Sequence, residues 1–180
     1  YLGKFSVEMK RSTKISPPQW MSSEEVSRIL SILSKNNQIV RFVGGCVRDS
    51  IVGRSFEEID LATPDNPQVV CSLLEEEGLA PIPTGISHGT VTVAYASRKF
   101  EITTLRSDVE PRGRQAKVAF TNDWHLDAFR RDFTINALYA DSDGSIYDPT
   151  GGLKDLKEGL VRFIGEPSQR ISEDYLRVLR

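Results

Sequence analysis

The chain has 180 residues, 39% hydrophobic and 27% charged, with a formal net charge of −2. That length suits one domain, or one domain with an appendage, and the composition excludes wholesale disorder. Two cysteines, Cys46 and Cys71, make neither a disulfide scaffold nor a zinc set, and no apolar run approaches the ~18 residues of a membrane span.

Residues 1–20 carry Lys4, Lys10, Arg11 and Lys14 among Ser, Thr and Pro17-Pro18, a composition that predicts a mobile tail; a targeting segment is the other reading. Ser22 and Glu25 form a capping box ahead of Val26, Ile29, Leu30 and Leu33, whose spacing predicts a helix to about Asn36. Ile39 to Val43 reads as a strand ending in Gly44-Gly45, followed by a brief helix that Gly53 stops. Ile59-Asp60-Leu61 is the next strand. Asn66 and Pro67 open a helix that Gly78 closes after a solvated acidic end, Glu75 to Glu77. Thr90–Tyr95 and Phe100–Leu105 are expected to form a hairpin through a Ser97-Arg98-Lys99 turn. The stretch 106–122 shows no period. A helix capped by Asp123 is predicted through Phe133 towards Leu138, then a tight turn at Asp143-Gly144, a break at Gly151-Gly152, and a last helix from Ser168 to Arg180. Helices and short strands intermix without a βαβ repeat, so the fold class is α+β (mixed).

Four groups of residues could carry chemistry. Gly44-Gly45, with Arg48 one turn on, stands where a strand meets a helix start; such a turn serves either a phosphate or a plain connection. Glu58 and Asp60 lie two apart on a strand, so both carboxylates leave the same face. Their repulsion is relieved by a cation between them, Mg²⁺ being suited to oxygen ligands, or by water on an exposed face. Glu101 is a third acid, between Phe100 and Ile102, and would converge with them if its strand lies beside Ile59. Arg130-Arg131-Asp132 suits a ribose and phosphates. Asp174, Arg177 and Arg180, at i, i+3 and i+6, could present a rigid base-reading edge or be a commonplace surface pair.

Gly44-Gly45-x-Val47-Arg48-Asp49, Arg130-Arg131-Asp132-Phe133-Thr134-x-Asn136-Ala137 and Glu173-Asp174-x-x-Arg177, in this order, resemble the catalytic head of the class II tRNA nucleotidyltransferase and bacterial poly(A) polymerase family, within the polymerase-β-like superfamily. Ser87-His88-Gly89-Thr90-Val91 and Asp148-Pro149-x-Gly151-Gly152 also match it. The resemblance implies a head over 21–165 and, over 166–180, the start of a helical neck. It implies that Gly44, Gly45 and Arg48 contact the incoming nucleotide, Arg131 and Asp132 its sugar and phosphates, and that Asp174, Arg177 and Arg180 select CTP or ATP. Glu58 and Asp60 stand where the family carries its metal-binding Asp-x-Asp pair, and Mg²⁺ is the implied ion; Glu101 joins them as a catalytic candidate on the strand reading alone. The stretch 106–122, with Arg112, Arg114 and Lys117, matches a mobile loop implicated in switching from C to A addition.

The implied activity is template-independent addition of C and A from CTP and ATP to the tRNA 3′ end. Poly(A) polymerase shares this head, and CC-only or A-only addition is a subsidiary form. Partners would be the two nucleotides and the tRNA 3′ end, with no membrane, in a reducing compartment: the cytoplasm, with the mitochondrion open. One departure stands out: Glu58 replaces the first aspartate. Its extra methylene moves the carboxylate outward by ~1.5 Å, and a misplacement of that size can cost on the order of 10²-fold in rate. A non-catalytic nucleotide- or RNA-binding module is therefore the reading from another class.

Overall fold

The structure is a computed structural model that describes residues 11, 13–110 and 117–179. Residues 1–10, Arg112, Arg114 and Arg180 lie outside the described residues. Helix α1 (Glu24–Leu33) precedes strand β2 (Arg41–Val43), α2 (Gly45–Ile51), β3 (Glu58–Thr63) and α3 (Pro67–Glu76), with β1 (Thr13–Lys14) ahead of them. Strands β4 (Ile82–Gly85), β5 (Thr90–Tyr95), β6 (Arg98–Thr104), β7 (Arg106–Glu110) and β8 (Lys117–Phe120) follow. The chain then forms α4 (Trp124–Phe129), β9 (Tyr139–Ala140), β10 (Ser145–Tyr147), α5 (Gly152–Glu158) and α6 (Pro167–Glu173).

Among the described residues eight strands form one sheet in the order β1-β10-β9-β2-β3-β6-β5-β4, and β7 and β8 pair separately. Only β3 and β6 run parallel; the other pairings in the sheet are antiparallel. This is the mixed α+β architecture that the intermixed periods predict.

Strand alternation divides the sheet into two faces. One presents Phe42, Ile59, Leu61, Val91, Val93, Phe100 and Ile102, all buried, to the apolar stripes of α1 (Val26, Ile29, Leu33) and α3 (Val70, Leu74). The opposite face is covered over only part of its width, by a smaller core in which Val43, Ala62 and Tyr139 meet Trp124, Ala128, Ala137 and Ile164. Beyond that cover, the same face of β3 and β6 carries Glu58, Asp60, Lys99 and Glu101. The chemistry therefore sits where the second core stops.

Several expectations are corrected. Part of the supposed tail is built into the fold: Thr13 and Lys14 pair with β10, and Trp20 packs edge-on against Phe42 and Phe56 while donating to Ser50 Oγ at 2.9 Å. Ser23, not Ser22, caps α1, accepting from the Val26 N–H at 3.4 Å; Ser22 lies in a 3-10 turn and donates to the Gln19 carbonyl. Glu77, expected at a merely solvated helix end, is paired by Arg28 and Lys35. Tyr95 pairs with Arg98, so the hairpin turn is Ala96-Ser97, and Arg98 and Lys99 belong to β6. Most of 106–122 that is described forms the β7–β8 pair rather than irregular chain.

Two predicted helices are shorter than their periods suggest. Helix α4 ends at Phe129, because the chain turns to let Phe133 bridge Phe163 and to form a 3-10 turn over Thr134–Asn136. Helix α6 ends at Glu173: Asp174 is extended (φ −152°, ψ 102°) and a 3-10 turn, Tyr175–Leu179, follows. Asp174 and Arg177 are thus not on one helical stripe.

Candidate active site

The pairing of β3 with β6 sets the register of the acidic face: Glu58 lies opposite Lys99 and Asp60 opposite Glu101. The three acids predicted from sequence are therefore neighbours on one surface. They are not gathered as a ligand set: among the described residues no three His, Cys, Asp or Glu side chains close on a common point for an ion. Glu58 is half exposed and accepts from the Lys99 ammonium. Asp60 is more enclosed, and its carboxyl is pushed up to about 6, first by burial and then by Glu101 and Glu58, against the opposing pull of Arg131 and Lys99.

Above Asp60 the chain turns at Gly44, whose φ of 74° an L side chain rarely adopts. A Cβ there would stand 3.7 Å from Asp60 Oδ2 and 3.8 Å from Arg131 Nη1, so glycine keeps open the space between carboxylate and guanidinium. Gly45 begins α2. Cys46, next to it, is buried and donates to the Val43 carbonyl; burial raises its thiol to about 12, so it stays protonated.

Arg48 already has partners within the fold. Its Nε and Nη2 grip Asp49, each at 2.9 Å, and Nη1 donates to Asn136 Oδ1 at 2.6 Å. Asn136 in turn donates to Asp132 Oδ1 at 3.1 Å, which also accepts from the Phe133 N–H. Arg48, Asn136 and Asp132 are thus one hydrogen-bonded chain joining the two glycine- and arginine-bearing motifs. Its base is firm. Thr134, at the head of the 3-10 turn, donates to the buried Asp155 at 2.7 Å, and Asp148 caps α5 through the N–H groups of Gly152 and Leu153. A Cβ on Gly152 would overlap the Thr134 carbonyl. The Asp148 to Gly152 segment matched to the family therefore acts as a buttress.

The residue that sequence reading missed is Asp127. It has no exposed surface and joins Arg130 at 2.8 Å, Arg131 at 3.0 Å and the Tyr139 hydroxyl, which donates at 2.7 Å. Burial alone would raise its carboxyl; Arg131, Arg130 and Tyr139 overcome that and hold it well below the usual carboxylate range. The signal was present in the sequence: an acid three and four residues ahead of two arginines on a helix.

Glu173 plays a similar part at the last motif, nearly buried and accepting from Arg170 at 3.1 Å and from Arg177 at 2.8 Å. Arg177 also donates to the Arg170 carbonyl, and Asp174 accepts from the Leu176 N–H at 3.1 Å. An open cleft of about 330 Å³ between β7, α4 and α6 is lined by Asp108, Leu126, Phe129, Arg130 and Glu173, among others. No described helix is long and apolar enough to cross a membrane.

Comparison with known proteins agrees with this arrangement. The family described as "Poly A polymerase head domain" matches residues 40–162. A Danio rerio protein named "CCA tRNA nucleotidyltransferase 1, mitochondrial" is 45% identical over 153 residues, which are 84% of this chain and 36% of that protein. The crystal structure of the Bacillus stearothermophilus CCA-adding enzyme in complex with CTP superposes with a TM-score of 0.76 at 34% identity, over 87% of this chain and 37% of that one. A tRNA nucleotidyltransferase complexed with a primer tRNA and an incoming ATP analog gives a TM-score of 0.66 at 27% identity, over 84% and 42%. The chain thus spans well under half the length of each. Motif order, fold and sequence point the same way, and the chain belongs to the class II tRNA nucleotidyltransferase and poly(A) polymerase family as a catalytic head domain.

Proposed function

We propose that this head carries out template-independent transfer of C and A, from CTP and ATP, to the tRNA 3′ end. The observation that carries the reading is the juxtaposition of Asp60 with Gly44 and Arg131: a carboxylate short of positive charge, an open turn above it and an anchored guanidinium beside it. Triphosphate oxygens suit Arg131, which Asp127 holds in place, and the backbone at Gly44-Gly45 offers close approach without a side chain. Asp132 and Asn136 offer acceptor and donor to a ribose, Arg48 fixing the Asn136 amide. Asp174, Arg177 and Arg180 are the residues we assign to base selection, on family grounds.

A divalent ion fits the donor set, which is oxygen-only and electrostatically under-compensated at Asp60; Asp60 and Glu58 would hold Mg²⁺ together with substrate phosphates, with Glu101 alongside. Bound there, the ion would neutralise the triphosphate and acidify the attacking hydroxyl. What the chain's own residues supply is position and fixed charge. Free Cys46 and Cys71 are in keeping with a reducing compartment, and the vertebrate relative's name adds the mitochondrion to the cytoplasm as a place of action.

The relatives' names support C and A addition over adenosine alone. One observation favours a second reading, a module that binds nucleotide without transferring it: Lys99 already supplies Glu58 with a cation. Incubating the full-length gene product with Mg²⁺, CTP, ATP and a tRNA ending before CCA separates them. Growth by CCA, abolished by Asp60→Ala, is expected. Growth by A alone would move the protein to the poly(A) branch, and CTP binding with no growth, even after Glu58→Asp, would leave the module.

A further inference from the structure

We propose that Lys99 is a positioning residue for Glu58: its ammonium holds the Glu58 carboxylate against β6 while no ion is bound, and a divalent cation arriving at Asp60 must take that carboxylate from it. The inference rests on the proposed function, because it needs an ion at Asp60. In the parallel β3–β6 pair Glu58 and Lys99 are direct partners, one step along from Asp60 and Glu101. Alternation puts all four side chains on one face. Lys99 Nζ donates to Glu58 Oε1, and the charges of Glu101 and Asp60 act on the same ammonium.

Three carboxylates on neighbouring strand positions repel one another; Arg131 faces Asp60, and Lys99 is the cation on β6 that meets Glu58. The extra methylene of Glu58 gives it reach towards the partner strand that an aspartate lacks. Both side chains are about half exposed, 49% for Glu58 and 48% for Lys99, so the pair is weak and exchangeable. A lysine ammonium is a compact point charge on a flexible stem and can swing out when displaced. Glu58 is thereby held by Lys99 until an ion competes for its carboxylate. Glutamate at 58 and lysine at 99 are accordingly one paired feature.

The test is Mn²⁺ binding by the full-length gene product, read from the electron paramagnetic resonance of the free ion, Mn²⁺ sharing the oxygen-ligand preference of Mg²⁺. Lys99→Met is expected to tighten binding by about three- to fivefold, the range an exposed pair allows. Arg98→Met removes the same charge from the opposite face and is expected to change nothing. In a Glu58→Gln background Lys99→Met is expected to lose its effect. Unchanged affinity in Lys99→Met, or the same tightening with Gln at 58, overturns the inference while leaving the proposed function standing. Mn²⁺ binding that is indifferent to Asp60→Ala overturns both.

Discussion

Arg131 Nη2 lies 3.0 Å from Asp127 Oδ2, and the two residues are one helical turn apart in the sequence. The carboxylate is wholly buried, while the guanidinium it holds reaches Gly44 and faces Asp60. An arginine with two nitrogens committed to a buried acid has lost most of its rotamer freedom before any ligand arrives. The same acid holds Arg130 and is closed off by the Tyr139 hydroxyl, so one carboxylate aligns two arginines with opposite outlooks.

Removing Asp127 is expected to cost more than any surface substitution. Asp127→Ala leaves Arg130 and Arg131 without the buried carboxylate that joins them and Tyr139 without that acceptor, a loss of about 3–5 kcal/mol for a broken buried pair. Urea unfolding monitored by circular dichroism measures it. Because the carboxyl is depressed on folding, its contribution is complete above about pH 4 and drains away only as pH falls further. The difference between wild type and Asp127→Asn is therefore expected to be constant from neutral pH to about pH 5 and to shrink below. A difference that instead grew in acid would contradict the assignment.

Asp60 titrates in the opposite sense. Its carboxyl is raised to about 6 in the folded protein, from an ordinary value near 3.9 in the unfolded chain. A raised carboxyl favours the fold when protonated: that contribution is complete below about pH 4 and lost as pH rises through 6. Without divalent ions the protein should thus gain stability from pH 7.5 to pH 5. Asp60→Asn should lack this slope and be more stable at pH 7.5 by about 1–2 kcal/mol, since each tenfold change in proton affinity is worth about 1.4 kcal/mol. Paired urea titrations at the two pH values check it, equal slopes being the contrary result. Adding Mg²⁺ at pH 7.5 should stabilise the wild type and not Asp60→Asn.

Much of this site was readable because strands have a period of two. Glu58 and Asp60 share a face whatever the rest of the chain does, and Glu101, flanked by Phe100 and Ile102, had to lie on the polar face of its own strand. The parallel pairing that sets Asp60 beside Glu101 is a non-local choice with no local signature. Asp127 was hidden for another reason: an acid among arginines on a helix looks like a solvated face, and its burial depends on Tyr139 arriving from another segment and on the core that closes over α4. The break at Asp174 was hidden because Ile171, Tyr175, Leu176 and Leu179 keep helical spacing through it. Tyr175 and Leu179 are in fact strongly exposed, so no packing holds that stripe together.

Gly44 and Gly152 should fail differently when given a side chain. Gly44→Ala must hold φ at 74°, costing about 1–2 kcal/mol, and its methyl group enters the space between Asp60 and Arg131, meeting the Asn136 carbonyl only at an ordinary contact distance of 3.7 Å. The protein should still fold, with a lower melting temperature and CTP binding weakened by about tenfold or more. Gly152→Ala drives Cβ into the Thr134 carbonyl, which cannot move without releasing Asn136 and, with it, Arg48. Calorimetry should find the second variant far less stable, with nucleotide binding lost alongside folding. The reverse order would mean that the turn at Gly44, not the buttress under Thr134, limits stability.

Glu58→Asp is the substitution with the clearest sign. Strand β3 could have absorbed the longer side chain by a bulge or a slipped register, but pairing with β6 is regular from Glu58 to Thr63, opposite Lys99 to Thr104. The backbone at 58 therefore stays where the fold puts it, and the glutamate carboxylate lies about one bond length further out than an aspartate's would, on the Lys99 side. An octahedral ion tolerates such displacement poorly, and a 1 Å misplacement can cost on the order of 10²-fold. In the full-length gene product, single-turnover CTP incorporation onto a tRNA lacking CCA should accelerate in Glu58→Asp, by up to that factor, with little change in CTP affinity. A slower Asp variant would mean that the site has been rebuilt around glutamate. Lys99→Met in the Asp background would then have no further effect on rate if the lysine acts only through the longer carboxylate.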